Sequence, residues 1–402
     1  MIPEDNKEAA HHRKLSKERH GELAQADGGL CFVELFWRDH QAWLQDCGYM
    51  LRPRYHPDWK PSWKPKDKWS DMEDGLMPEA TAIMDARRIK DGMDVCLKSI
   101  DVTRHEFERE IGLYFSSEPL AADPRNHCVP ILDTLQVPDE ENTILIVMPL
   151  LREYSNPPFD TFGEVVDFFG QVFEGIKFMH DHNVAHRDCN GLNIMMDGWH
   201  MFPDGFHPHI TKMSYTRDLS AKAKFYTRTQ RPPKYFLIDF GLARRYKSRN
   251  PPPLEPPMRG GDRSVPEFRG KDGAPPEPCD PFPTDIYYLG NMILKDFIEG
   301  HSRFLYRNKK YGFEFMKALA DDMVAQDPAQ RPTIDEVIER FDNICRKLNF
   351  WKVRSRVLKA GHFPWPSRPI RHWSLRIRYV LYRVPAIPSY KREKVYAVSL
   401  LQ

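Results

Sequence analysis

The order of patterned segments predicts an α+β chain in two lobes, a small mostly β lobe followed by a larger α-helical one. Three observations carry this expectation. Between residues 82 and 151 four strand-like runs surround one helical run, whereas from 161 to 348 helical spacing dominates. The length, 402 residues, suits one two-lobed domain with extensions better than several small domains. Hydrophobic residues make up 41% and aromatics 12%, so the chain is globular, while 35 prolines exceed the usual ~5% and predict long irregular segments.

Residues 1 to about 27 are polar, charged and rich in histidine, and are expected to be disordered. From Leu30 to Leu51 the residues Leu30, Val33, Phe36, Trp37, Trp43, Leu44 and Met50 recur at roughly helical spacing. That pattern predicts an amphipathic helix packing on the domain that follows. Pro53, Pro57, Pro61 and Pro65 alternate with Tyr55, Trp59 and Trp63. Proline lacks the amide donor of a helix interior, so 28–67 is expected to finish as an extended, aromatic-anchored linker.

The domain itself is expected over 68–348, with the small lobe at about 68–151 and the large one at about 152–348. Ala82–Ile89 and Asp94–Ile100 flank Asp91-Gly92, a hairpin signal because glycine tolerates positive φ. A helix over 102–117 and strands over 129–137 and 143–151 follow. Thr161 with Glu164 predicts a capping box opening a buried helix through Met179, and Thr333 with Glu336 predicts a second before the helix ending near Leu348. Between them lie an insertion at about 198–233, a segment with eleven prolines from Pro251 to Pro283, and helices resuming at Thr284.

The net charge of +2 conceals an asymmetry. From Arg346 to Gln402 there are 14 Lys and Arg against one acid, Glu393, a net +13 that leaves −11 on the remainder. The basic extension, 349–402, is expected to pack on its own acidic body; nucleic acid and anionic lipid are the less favoured partners. Its Trp351, Trp365, Trp373, Tyr379 and Tyr382 favour docking, since aromatic groups gain by leaving water. Seven scattered cysteines argue against a disulfide framework or a zinc site. With no secretory leader pattern and no apolar run of spanning length, the chain is expected to be soluble and intracellular, in cytoplasm or nucleus.

The chemistry-bearing residues are His186-Arg187-Asp188, Asn193 five residues after the aspartate, and Asp239-Phe240-Gly241 at the end of an apolar strand. An aspartate can orient and deprotonate an attacking hydroxyl. An asparagine and a second aspartate supply hard oxygen ligands for Mg²⁺ on nucleotide phosphates. Lys98 lies in the apolar strand Val95-Cys96-Leu97-Lys98. There an ammonium needs an anionic partner, a phosphate or a carboxylate, unless it snorkels to solvent.

This constellation resembles the catalytic loop and Asp-Phe-Gly motif of eukaryotic-type protein kinases. Val265-Pro266-Glu267, Asp285 with Gly290, and Arg331 resemble that family's further motifs, which small-molecule kinases of the aminoglycoside or choline type lack. The resemblance covers about 68–348 and implies ATP and Mg²⁺ as cofactors, and transfer of a γ-phosphoryl group to a protein hydroxyl, Ser or Thr before Tyr. It implies Asp188 as base, His186 as a core residue, Arg187 as anchor of the activation segment, and Asn193 and Asp239 as metal ligands. Lys98 would be the phosphate-binding lysine, paired with one of Glu106, Glu108 and Glu110, of which Glu110 best matches the motif. Cys96, Met148, Pro149, Leu151 and Met195 would hold the nucleotide with Lys98, and Glu267 would pair with a buried Arg331. The whole chain looks most like divergent kinase-like proteins of filamentous and mushroom-forming fungi.

Two departures qualify the match. No glycine-rich loop precedes Lys98, only Gly75 and Gly92 lying between Asp67 and Lys98, and Asn190 stands where Ser/Thr kinases carry a lysine two residues after the base. The first departure supports a pseudokinase, a nucleotide-binding or scaffold module, as the alternative reading, with a small-molecule kinase as a second.

Overall fold

A computed structural model describes residues 30–389 apart from 65, 68, 79, 216–218, 259–261, 271–274, 301–308 and 360–366. The disorder expected over 1–27 therefore falls outside the described residues. Two compact units emerge. The first takes the described residues to Asp101 with Leu132–Leu150 and Phe202–Lys224, and the second takes Val102–Ile131, Leu151–Met201 and the described residues from Phe225 onward.

In the first unit, the single helix expected over 30–51 is two short ones, α1 (Phe32–Asp39) and α2 (Gln41–Asp46), followed by a two-residue strand β1 (Tyr49–Met50). At His40 the backbone leaves the helical region (φ −100°, ψ 5°). Its ring Nδ1 also bonds the Phe36 carbonyl at 2.8 Å, drawing on an acceptor that helix continuation would use. Strands β2 (Ile83–Arg88) and β3 (Asp94–Asp101) form the hairpin expected at Asp91-Gly92, and Gly92 has φ +70°. With β4 (Asp133–Gln136) and β5 (Thr143–Pro149) they complete an antiparallel sheet in the order β1-β2-β3-β5-β4. One face carries Met84, Ala86, Val95, Leu97, Leu145 and Val147, which share a core with Trp37, Leu44 and Tyr55 of the preceding segment.

The proline- and tryptophan-rich stretch is therefore no linker. It connects β1 to β2 across residues 51–82, and an ion pair without water access fastens it. The Arg54 guanidinium reaches Glu34 through Nε–Oε1 at 2.6 Å and Nη2–Oε2 at 3.0 Å, and the Tyr55 hydroxyl donates to the same carboxylate at 3.2 Å. Both charged side chains are buried, Glu34 at 0% and Arg54 at 2% exposure. Burial raises the Glu34 carboxyl, yet its bonds to Arg54 prevail and hold it below the usual range. Trp59 lies under the Arg54 guanidinium at 5.0 Å, and Arg52 pairs with Asp85 of β2 at 3.2 Å. The Phe202–Lys224 part of the insertion belongs to this unit, where the Tyr215 hydroxyl donates to Asp94 at 3.1 Å.

The second unit is mainly helical. It holds α3 (Glu108–Ser116), α4 (Phe162–Asp181), α5 (Pro281–Ile293), α6 (Lys317–Met323) and α7 (Ile334–Lys347), with a small sheet of β6 (Arg152–Glu153), β8 (Ile194–Asp197) and β9 (Lys234–Leu237) in the order β6-β8-β9. The strand β7 (Val184–Ala185) pairs with β10 (Arg244–Arg245). The capping box expected at α4 is half formed. Thr161 accepts from the Glu164 amide at 3.0 Å, but the Glu164 carboxylate turns to the amides of Asp160 and Thr229. The box at Thr333 and Glu336 is complete. Helix α5 begins at Pro281 behind an Asp280 cap, before the expected Thr284, because proline at a first helical position sacrifices no hydrogen bond.

The described part of the basic extension packs within this second unit. It forms α8 (Phe350–Arg354), β12 (Leu358–Lys359) paired with β11 (Lys310–Tyr311), and α9 (Ser367–Leu381). The Val357 amide donates to the Asp160 carbonyl at 3.1 Å, and His372 lies 3.4 Å from the Asp160 carboxylate. Of the aromatics expected to dock, Tyr379 is buried while Trp351, Trp373 and Tyr382 are exposed. Trp365 is outside the described residues. Among those residues no helix is long and apolar enough to cross a membrane, and the seven cysteines are free thiols.

Glu34→Gln would leave the Arg54 charge buried with a neutral partner. The expected loss is about 3 kcal/mol or more, since breaking a buried pair from one side strands the other charge. Urea unfolding of the purified chain measures it, and a variant as stable as the parent would show that the pair does not secure the 51–82 connection.

Candidate active site

The site is assembled around the loop between β7 and β8. A carboxylate from α5, Asp285, accepts the backbone amides of His186 at 2.8 Å and Arg187 at 2.7 Å, and His180 of α4 donates Nε2–H to it at 3.0 Å. Arg187 can thus keep a left-handed backbone (φ +67°), which a non-glycine residue holds only when its surroundings dictate it. Its guanidinium reaches the Leu242 and Pro256 carbonyls and pairs with Glu255 at 3.3 Å. The turn and the segment after Asp239 are tied together through that side chain.

His186 is fully buried, donating from Nε2 to the Ile238 carbonyl at 3.1 Å and accepting the Asp188 amide at Nδ1. A carbonyl can only accept, so the proton of the neutral ring sits on Nε2. Asp188 is held on both carboxylate oxygens: Asn190 Nδ2 donates to Oδ1 at 2.7 Å and Asn193 Nδ2 to Oδ2 at 2.8 Å. Asn190 is thus a positioning group for Asp188, a role its sequence position did not disclose. Burial raises the Asp188 carboxyl above the usual aspartate range against the bonds that Asn190 and Asn193 donate to it, and the negative charge of Asp239 adds a smaller push.

Asp239 follows β9 in a left-handed conformation (φ +64°) and accepts the Gly241 amide at 3.3 Å. Phe240 is buried against His186 (ring centroids 5.7 Å) and Phe115 of α3 (6.4 Å). Glycine is required at 241, since a Cβ there would come within 2.7 Å of His105 and 3.2 Å of the Glu108 carboxylate. This contact also corrects the reading of α3. Glu110 is exposed, as is Glu106, and the buried acid is Glu108. Residues two apart on a helix point about 200° apart, whereas Glu108 shares its face with the buried Ile111 and Phe115 at three and seven residues.

A cleft of about 710 Å³ opens beside Asp188, lined also by Asn190, Asn193, Met195, Tyr288 and Lys310. Lys310 and Lys359 are cross-strand neighbours, and burial together with the Lys359 charge pulls the Lys310 ammonium down to about 8. Met195 lies in β8 opposite Glu153, and Leu151 is buried at the start of the second unit's middle segment.

The remaining expected residues belong to the first unit. Alternation along β3 puts Val95 and Leu97 in the core and Cys96 and Lys98 on the opposite face. Across the ladder Cys96 pairs with Met148, Lys98 with Ile146, and Val95 with Pro149. In the second unit Arg331 and Glu267 form the expected pair through two bonds, at 2.8 and 2.6 Å, and Thr284 donates to the same carboxylate.

The Asp239 carboxylate and the Asn193 amide oxygen are hard donors, the kind that suits Mg²⁺ rather than a soft metal. Asn193 spends its amide nitrogen on Asp188, so the oxygen is the atom it has left for a metal.

No family model matches the chain. It is 24% identical over 202 residues to the "Putative serine/threonine-protein kinase" of Acanthamoeba polyphaga mimivirus, covering 44% of this chain and 56% of that protein. The chain thus matches about half the length of this curated relative. The similarity is to a kinase-like domain, and the match is viral; it lends nothing to the fungal resemblance.

Asp285→Asn would replace one acceptor oxygen by a donor facing a backbone N–H. The expected cost is roughly 1–3 kcal/mol for a buried group left unsatisfied, with faster amide exchange at His186 and Arg187. Exchange mass spectrometry reads both amides, and unchanged protection would show that Asp285 does not hold the loop.

Proposed function

We propose that the chain is an ATP- and Mg²⁺-dependent protein kinase acting on a Ser or Thr hydroxyl. The observation that carries the reading is Asp188, fixed on both oxygens by Asn190 and Asn193, beside Asp239 and facing a cleft. A carboxylate so restrained can orient an acceptor hydroxyl and take its proton as the oxygen attacks phosphorus. Bound Mg²⁺-ATP would supply the transferable phosphoryl group and the charge that neutralises its oxygens. Asn193 and Asp239 would hold the metal. Lys98, Cys96, Met148, Pro149, Leu151 and Met195 are assigned to the nucleotide by their resemblance to the kinase positions. Of the acids weighed as the partner of that lysine, Glu108 is buried whereas Glu106 and Glu110 are exposed. The printed name of the viral relative supports Ser/Thr over Tyr.

One feature favours a scaffold reading. The β1–β2 connection, where the kinase resemblance calls for a glycine-rich loop, is the proline- and tryptophan-rich stretch 51–82. Its single glycine, Gly75, is committed to packing: a Cβ there would meet the Trp69 carbonyl at 1.9 Å. That leaves no glycine in the connection for close backbone approach to phosphates. A thermal-shift titration separates the readings, because a ligand bound by the native state raises its stability. No shift at millimolar Mg²⁺-ATP would favour the scaffold.

Asp188→Asn should lower incorporation of labelled phosphate by roughly 10²- to 10⁴-fold, and unchanged incorporation would sink the assignment. The pH profile gives an independent reading. A base must be ionised, so kcat/KM should fall as pH drops through the raised Asp188 pKa, with an acid limb above the ordinary aspartate value of about 3.9. A limb at or below that value would mean that another group titrates.

A further inference from the structure

Helix α9 is packed inside out. A helix on a globular surface buries its apolar stripe and leaves its polar face in water. Here the buried positions are His372, Arg376 and Tyr379, spaced by four and three residues. His372 and Arg376 lie 3.4 and 4.0 Å from the Asp160 carboxylate, and the Tyr379 hydroxyl meets that of Thr227 at 3.1 Å. The outward positions, four and then four residues apart, are Trp373 (51% exposed), Ile377 (60%) and Leu381 (74%), joined by Val380 (41%) and Tyr382 (75%). Burying the cations against Asp160 leaves the apolar stripe turned largely toward solvent.

The charge around the stripe selects the occupant. Arg378 and Arg383 are exposed beside it, and Glu393 is the only acid from Arg346 to the end of the sequence. A second copy of the chain seated on the same stripe by a two-fold axis would bring these arginines against their own counterparts. A nucleic acid would satisfy the arginines but leave Ile377, Val380 and Leu381 in water. An anionic bilayer satisfies both, with aliphatic side chains among the acyl chains, arginines at the headgroup phosphates, and Trp373 and Tyr382 at the two ends of the stripe in the interfacial layer.

We propose that α9 is an interfacial membrane-binding helix, which lies in the plane of an anionic lipid surface with Trp373, Ile377 and Leu381 inserted. This surface is independent of the phosphoryl-transfer reading, and either can stand without the other.

The test is co-sedimentation of the full chain with phosphatidylcholine vesicles, with and without phosphatidylserine. The expected result is binding to the phosphatidylserine vesicles, weakened by salt, and a loss of roughly tenfold or more in partitioning for Ile377→Glu/Leu381→Glu. Both positions are exposed, so the variant should melt at the parent temperature, and that melt verifies its fold. Conversely, no sedimentation with phosphatidylserine vesicles at low salt would overturn the proposal, as would full retention of binding by the variant. It would fall too if the substitutions abolished self-association or RNA binding while leaving vesicle binding intact.

Discussion

The carboxylate of Asp285 governs the geometry of the candidate site. A catalytic loop must hold irregular backbone in place, and here two successive amides end on one buried acid that a histidine also steadies. Arg187, bonded in this way, is left-handed, and from that conformation its guanidinium reaches Leu242, Glu255 and Pro256. The order runs outward from there. His186 locks the turn to Ile238, the two asparagines fix Asp188, and Asp239 takes its place beyond Ile238. Removing the central acid would loosen each of these without touching a reacting atom.

Electrostatics in the second unit follow a different logic at the periphery. The Glu267–Arg331 pair is buried and bonded through both oxygens, so neither charge is stranded and the post-Asp239 segment is held at its far end. Lys310 and Lys359 are cross-strand neighbours at the cleft wall, where burial first, and the Lys359 charge after it, make Lys310 easier to deprotonate.

Much of the site was legible in the sequence because each of its parts lies in a short motif of its own. Asp188, Asn193 and Asp239 needed only fixed offsets and a strand, and the Asp91-Gly92 hairpin needed only a glycine. Misreadings arose where the determining partner is remote. Glu34 and Arg54 are 20 residues apart, and no periodicity announces that they neutralise each other. Without that pair the prolines between 53 and 65 read as a linker, and a two-residue strand hidden in helical spacing has too little pattern to be seen. That Glu108 rather than Glu110 is the buried acid of α3 could have been read from Ile111 and Phe115, which mark its buried face. Asn190 looked like a departure from a motif and is instead a hydrogen-bond partner of Asp188, a role that depends on the local fold of the turn.

The first unit is assembled from three separated stretches of chain, and the polypeptide passes from one unit to the other five times, after Asp101, Ile131, Leu150, Met201 and Lys224. Neither unit is therefore a cassette. A fragment cut at residue 150 would lack Phe202–Lys224, and excising the insertion as a dispensable loop would take out Tyr215 and its bond to Asp94. Synthesis from the N-terminus cannot finish the first unit until about a third of the second has been made, so the two must mature together, and evolution could have exchanged neither without rebuilding the other.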